Sequence, residues 1–413
     1  MKLATAPGDI LLVADGEYEG FALDGLRGQP SRPITILATG RAAVVKPSPA
    51  CKKKHCRDTV LIHGSHHVVI DGLTSYAAPR AAVAIMYGSH VVVRNGRFFD
   101  NGRWGIFTSF VDDVVLEHNE IHGSRREHGI YLSNSGDRPI VRFNVIHDND
   151  GSGIHVNGDF REKPELDKSG RSLYAGQADG IVSGGVIEGN LIYRNGSGAL
   201  ANGKRRGGAG INLDGVWDST LQGNVLFDNA AMGIAAFGDA DGIEDDSKDD
   251  GDGRFGPRGL EIRHNTVVMP QGSRPALQLR LSRGTNVVSN NILLHQDARR
   301  CGLELATPAD AMLVTSNGNV IDRVGVVDRV RPLDAWIRES GQDKQSLSVP
   351  ITRLFVDPAR GDYTLQPASP AVRRVQVTTT VQQQPATVQQ RDFFGKAPPD
   401  GKRRSVGACE VSW

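Results

Sequence analysis

Three pentapeptides, GIYLS, GIHVN and GINLD, place Tyr131, His155 and Asn212 at the same position of an alternating apolar pattern. A phenol, an imidazole and an amide side by side suit acid–base work. Imidazole exchanges a proton near neutral pH, phenol can give one up, and an amide holds an oxygen. Asn157 and Asp214 lie two residues further along their strands, Asp159 just beyond the second pentapeptide, and His128 just before the first. Strand core positions are apolar, so this polar series belongs to an outward face.

The elements that must position these groups repeat. An asparagine closes a short β-type run at Asn95, Asn119, Asn144, Asn190, Asn224, Asn265, Asn291 and Asn319, in steps of 24, 25, 46, 34, 41, 26 and 28 residues. Asp71 holds the same point 24 residues before Asn95, which makes about nine coils. Each coil reads as glycine, an alternating strand, a bend, a second strand, the asparagine, and a third apolar stretch such as EIH, VIH, LIY or VLF. Three short strands per turn without helical periodicity predict an all-β fold, a right-handed parallel β-helix with an asparagine ladder. In that ladder the asparagine is expected to take left-handed backbone geometry at the bend and to bond the amide of the next rung. The LxxLxLxxN spacing of leucine-rich repeats is absent, and so are the hairpin turns of a sandwich.

With 49 glycines, 6% aromatic and 39% hydrophobic residues, the composition fits many tight turns around a narrow stacked interior. One elongated domain is expected over 1–413, with an opening segment and cap at 1–65, regular coils at 66–325 and a closing coil and tail at 326–413. Lys+Arg 48 against Asp+Glu 47 gives a net charge of +1, which argues against a dedicated nucleic-acid binder. No apolar run spans a membrane, and a monomer is expected. Cys51 and Cys56, in CKKKHC, together with Cys301 and Cys409 make an even count of four. A Cys51–Cys56 disulfide in a secreted or periplasmic protein whose leader is not part of this sequence is favoured. Free thiols and a zinc site using His55 are the alternatives.

Alternation names the outward set as Phe107, Tyr131, Ser133, His155, Asn157, Asn212, Asp214, Phe237, Gln278 and Arg280. With rungs about 4.8 Å apart, Tyr131, His155 and Asn212 fall in one column. Long insertions follow GIHVNGD and GIAAFGD, and a third, ALANGKRRGGA, precedes GINLD. Such loops would wall a groove along the first-strand sheet. The second insertion holds Asp245, Asp249 and Asp250 within an acidic run that suits Ca2+, although its spacing is not that of an EF-hand. A solvated acidic loop is the competing reading.

The opening APGDILLVADGEYEGFALDGLRGQPSRPITILATG, the close LFVDPARGDYTLQPASPAV with RRSVGACE, and the repeat HGIYLSNSGDRPIVRFNVIHDNDGSGIHVNGD resemble bacterial right-handed β-helix proteins of the pectate-lyase-like superfamily. That group includes polysaccharide lyases, C5-epimerases and hydrolases, and the lyases bind polysaccharide along the first-strand face. The resemblance therefore implies a polysaccharide partner and β-elimination on a uronate-containing polymer. In that reaction His155 is expected as base and Tyr131 as acid. Lys204, Arg205 and Arg206 would grip the carboxylate and Asn212 would bond it, while Arg280 holds a neighbouring sugar. His128, Asn157, Asp159 and Asp214 complete the binding set. C5-epimerisation shares the first step, hydrolysis would use Asp159 with Asp214, and a non-catalytic carbohydrate-binding β-helix is the alternative from another class.

Overall fold

β-Branched and leucine residues at every second position let one face of each short strand pack inward while the other stays polar. The computed structural model, which describes residues 6–47, 57–198, 207–238, 255–372, 374–376, 393 and 403–409, stacks these strands in parallel register. A coil such as Ile130–Ser133, Ile140–Arg142, Val145–His147 turns once and delivers Ile154–Asn157 directly above its own first strand. Ile106, Ile130, Ile154, Ile211, Ile234, Leu277 and Leu303 form one inward column, each with no exposed surface. Burial of each such side chain contributes about 2 kcal/mol, so the column outweighs any single polar contact. The chain is a right-handed parallel β-helix.

Stacking starts earlier than the 1–65 boundary implies. Ile10–Val13 already pairs with Ile34–Ala38, and Phe21–Asp24 with Val60–His63, so the opening segment is itself coiled. At the far end the helix Leu333–Ser340 covers the last rungs with Trp336, whose indole donates to Asp343. Cys301 and Cys409 are buried, and Cys51, Cys56 and His55 lie outside the described residues.

The asparagine ladder runs from Asn119 through Asn144, Asn190, Asn224, Asn265 and Asn291 to Asn319, each side-chain amide donating to the next Oδ1 at 2.9–3.2 Å. Two details correct the sequence reading. The left-handed conformation belongs to the residue before each ladder asparagine (His118, Phe143, Gly189, Gly223, His264, Asn290 and Gly318), which frees the asparagine to point inward. Asn95 takes this outer position, with φ 56° and an exposed side chain. Gly96 holds the ladder rung and offers only its N–H, to Asn119 Oδ1. A Cβ there would stand 2.4 Å from the Phe98 ring, so the rung has no room for an amide. Asp71 is likewise off the ladder and accepts from Asn95.

A second ladder sits at the next bend, where Asn149 donates to Asn195 and Asn195 to Asn229. Asn190→Ala would leave the backbone N–H of Asn144 and one N–H of its side-chain amide, both bonded to Asn190 Oδ1 at 3.0 Å, without an acceptor in a fully buried site, while the other amide N–H keeps the Leu116 carbonyl. We expect a loss of about 2–4 kcal/mol, read as a lower urea midpoint with an unchanged far-ultraviolet spectrum in native buffer.

Candidate functional site

The groove floor is one column of the first-strand sheet. Ala84, Phe107, Tyr131, His155, Asn212, Ala235, Gln278 and Glu304 follow one another rung by rung. The expected adjacency of Tyr131, His155 and Asn212 is thus a matter of register. A second column, Ser109, Ser133, Asn157, Asp214 and Phe237, runs beside it. Phe107 lies in the floor column, but Trp104 stacks on it at 4.4 Å and leaves it 7% exposed. The Arg80 guanidinium, paired with buried Asp58, lies over both rings. Phe107 therefore closes one end of the floor.

Around His155 the polar contacts form a chain with one permitted direction. The Ser152 N–H donates to His128 Nδ1 at 2.9 Å, and His128 Nε2 meets His155 Nδ1 at 2.9 Å. Because Nδ1 of His128 is an acceptor, its proton is on Nε2 and is given to His155. His155 must then carry its own proton on Nε2. That nitrogen is closed off from solvent and meets no acceptor among the described residues, although the ring keeps a partly exposed edge. Burial lowers the His155 pKa to about 4, so the ring is neutral near pH 7. A neutral imidazole whose one remaining polar group is an N–H is a donor. The base role expected for His155 does not fit this network, and His128, expected as a substrate contact, is the residue that fixes its tautomer.

Tyr131 lies against this pair, its ring centroid 5.0 Å from His155 and 5.3 Å from His128. Burial raises its pKa, so the phenol keeps its proton. Asn157 Nδ2 donates to the phenol oxygen at 3.3 Å, leaving the O–H to act as a donor too. Asn212 is partly exposed on the next rung.

Beside these donors a cleft of about 150 Å³ is lined by Asn157, Asp159, Phe160, Arg161, Asp214 and Phe255, with glycines between them. Asn157 belongs to both places, since its Oδ1 also accepts from the Asp159 N–H at 3.0 Å. Phe160 and Phe255, at the start of one insertion and the end of the other, stack at 4.7 Å and make a shared wall. The first insertion is anchored by Tyr174, whose hydroxyl donates to Asp112 at 2.6 Å and whose ring packs on Phe110. Arg161 is the cationic side chain that the sequence reading missed here. Arg280 is not part of the cluster. It is exposed, and its strand neighbour Gln278 lies three rungs from His155 along the floor column. Lys204, Arg205, Arg206 and the proposed calcium ligands Asp245, Asp249 and Asp250 lie outside the described residues.

Comparison with known proteins agrees with this architecture. The model of the right handed beta helix region matches residues 50–169. Among solved structures the chain is similar to the pectate lyase Pel9A, with a TM-score of 0.59 and 13% identity, covering 99% of this chain and 89% of that one. It is similar to an alginate lyase from Paenibacillus sp. str. FPU-7, with a TM-score of 0.50, 16% identity, and coverage of 73% and 92%. The surface protein and adhesin PfbA of Streptococcus pneumoniae is similar at a TM-score of 0.50 and 12% identity, with coverage of 77% and 88%. No curated protein matches by sequence. The chain has the right-handed parallel β-helix fold, and at these identities the likeness establishes the fold alone. No described helix is long and apolar enough to cross a membrane.

Proposed function

We propose that the groove binds an acidic polysaccharide and cleaves it by β-elimination. The observation that carries this reading is the desolvated Nε2–H of His155, without an acceptor among the described residues, beside the phenol of Tyr131. Leaving a buried donor without an acceptor costs about 1–3 kcal/mol, a cost recovered when a ligand oxygen arrives. Removing the proton at C5 of a uronate throws negative charge onto its carboxylate oxygens. Neutral donors already fixed in place by His128 and Asn157 are suited to receiving that charge.

His155 and Tyr131 would hold the carboxylate, helped by the Asn212 amide and by Lys204, Arg205 and Arg206. The C5 proton would pass to a carboxylate of the neighbouring cleft, Asp214 or Asp159, and that carboxyl would hand it to the leaving O4 as the C4–O4 bond breaks and the C4=C5 double bond forms. Both line the same space, which also favours a second reading, hydrolysis by a carboxylate pair. The experiment is incubation with a panel of uronate polymers and a neutral glucan, following ultraviolet absorbance and reducing ends together. Rising absorbance supports elimination, since that step leaves a conjugated double bond. Reducing ends without absorbance favour the carboxylate pair, and binding without either makes the groove a non-catalytic lectin-like surface.

A further inference from the structure

The third-strand sheet carries a different cluster. Its outward column stacks Tyr76, Phe99, His122, His147, Tyr193 and Phe227, neighbouring ring centroids 4.8–5.1 Å apart and planes within 14° of parallel. In the middle of this stack, Glu120 and His122 project from the same side of strand Glu120–His122, and His147 follows His122 in register on the next coil. One ligand atom from each of Glu120, His122 and His147 lies within 4.8 Å of the other two.

The surrounding groups orient these ligands. Glu120 Oε2 accepts from Arg97 at 2.9 Å, which leaves Oε1 facing His147 Nε2 at 3.8 Å. His147 Nδ1 lies 2.6 Å from Asp148 Oδ2, so Nδ1 carries a proton and donates. In the neutral ring the lone pair is therefore on Nε2, opposite a carboxylate oxygen. Two acceptors that face each other need a cation between them, either a proton or a metal. A carboxylate behind a histidine behind an open position is the arrangement by which proteins hold divalent transition metals.

We propose that Glu120, His122 and His147 form a binding site for a divalent transition cation of the zinc class, which ties two successive coils together. Two imidazoles and a carboxylate suit zinc, nickel or copper, and are a poor set for calcium or magnesium. Bonds of about 2.0–2.1 Å bring tetrahedral ligand nitrogens to roughly 3.3 Å apart, so the two rings must tilt out of their stack towards the ion.

The test is titration of the full chain with Zn2+ near pH 7 against a chromophoric chelator, with thermal unfolding followed in parallel. The expected result is a Zn2+ equivalent that raises the unfolding midpoint by about 2–5 °C at saturation, with no response to Mg2+ or Ca2+. His122→Phe with His147→Phe keeps the aromatic stack and should abolish that equivalent, and Glu120→Gln should weaken it by about tenfold or more. Cys51→Ser with Cys56→Ser separates the cysteine segment and should leave it in place. No zinc uptake by the wild type, or uptake unchanged in both ligand variants, would overturn the site. If the double phenylalanine variant does not fold, the Glu120→Gln comparison decides.

Discussion

His155→Ala is expected to lower kcat/KM on the polymer that the groove cleaves by about 10²–10³, the effect of removing one preorganised donor to developing charge. His155→Gln should retain activity to within about tenfold of wild type, because glutamine still presents an N–H near the position of Nε2 but cannot serve as a base. A general base would make the two variants equally inactive. The pairing thus separates a donor from a base at one position, which alanine alone cannot do. Hydrogen-bond direction sets the donor role: the Ser152 N–H makes His128 Nδ1 an acceptor, so the protons run from His128 Nε2 to His155 Nδ1 and leave Nε2 of His155 protonated. His128→Phe preserves the ring contact with Tyr131 but removes the donor to His155 Nδ1. The freed tautomer should cost an intermediate factor in kcat with little change in KM. If His155→Gln is as dead as His155→Ala, the donor role is lost and the base returns to His155. If His155→Ala turns over normally, the site lies elsewhere in the groove.

Much of this was legible in the sequence because a period of two along the strand and a period of one coil between strands leave little freedom. Tyr131, His155 and Asn212 had to align once GIYLS, GIHVN and GINLD were recognised as equivalent strands. The ladder was legible only to within one residue. VVVRNG matches the pattern as text, but the bend takes its left-handed residue first and its inward residue second, so Gly96 and not Asn95 is the rung. The second ladder was also written in the chain, five residues after the first, at Asn149, Asn195 and Asn229, and it escapes a reading that allots one asparagine to a coil. The same holds for the outward aromatic column, whose members end the third-strand triplets RFF, EIH, VIH, LIY and VLF. His128 was harder. It precedes its strand, where alternation says nothing of side-chain direction, and its role depends on a backbone N–H from the following coil. Phe160 and Phe255 meet through insertions whose paths the repeat does not govern.

Buried histidines should make acid weaken this fold well above the pH at which the paired carboxylates Asp148 and Asp297 titrate, an effect opposed in part by Asp322, whose pKa burial raises to about 6. His155 and His264 are held neutral in the folded chain. Burial lowers the first to about 4, and burial together with the Arg404 and Arg263 guanidinium groups lowers the second to about 3. In the unfolded chain both return to about 6.5. Between those values the unfolded state binds more protons than the native one, so stability falls as pH falls from about 6.5 towards 4. Each ring contributes on the order of 2–3 kcal/mol to that loss, somewhat less for His155, whose edge reaches solvent. His66, His67, His122 and His295 are displaced in the same direction, chiefly by burial, and add to the same limb. The paired carboxylates Asp148 and Asp297, lowered to about 2, lose their contribution only below about 4, a separate window. His264 can be tested alone because it occupies the left-handed position before Asn265, with φ 53°, where the corresponding residue of the following coil is Asn290. Asparagine tolerates that geometry, so His264→Asn should fold. The drop in unfolding free energy between pH 7 and pH 4 should then be smaller than in wild type by on the order of 2–3 kcal/mol. Urea midpoints of the two proteins at several pH values measure it, and parallel curves would mean that the buried ring is not what acid attacks.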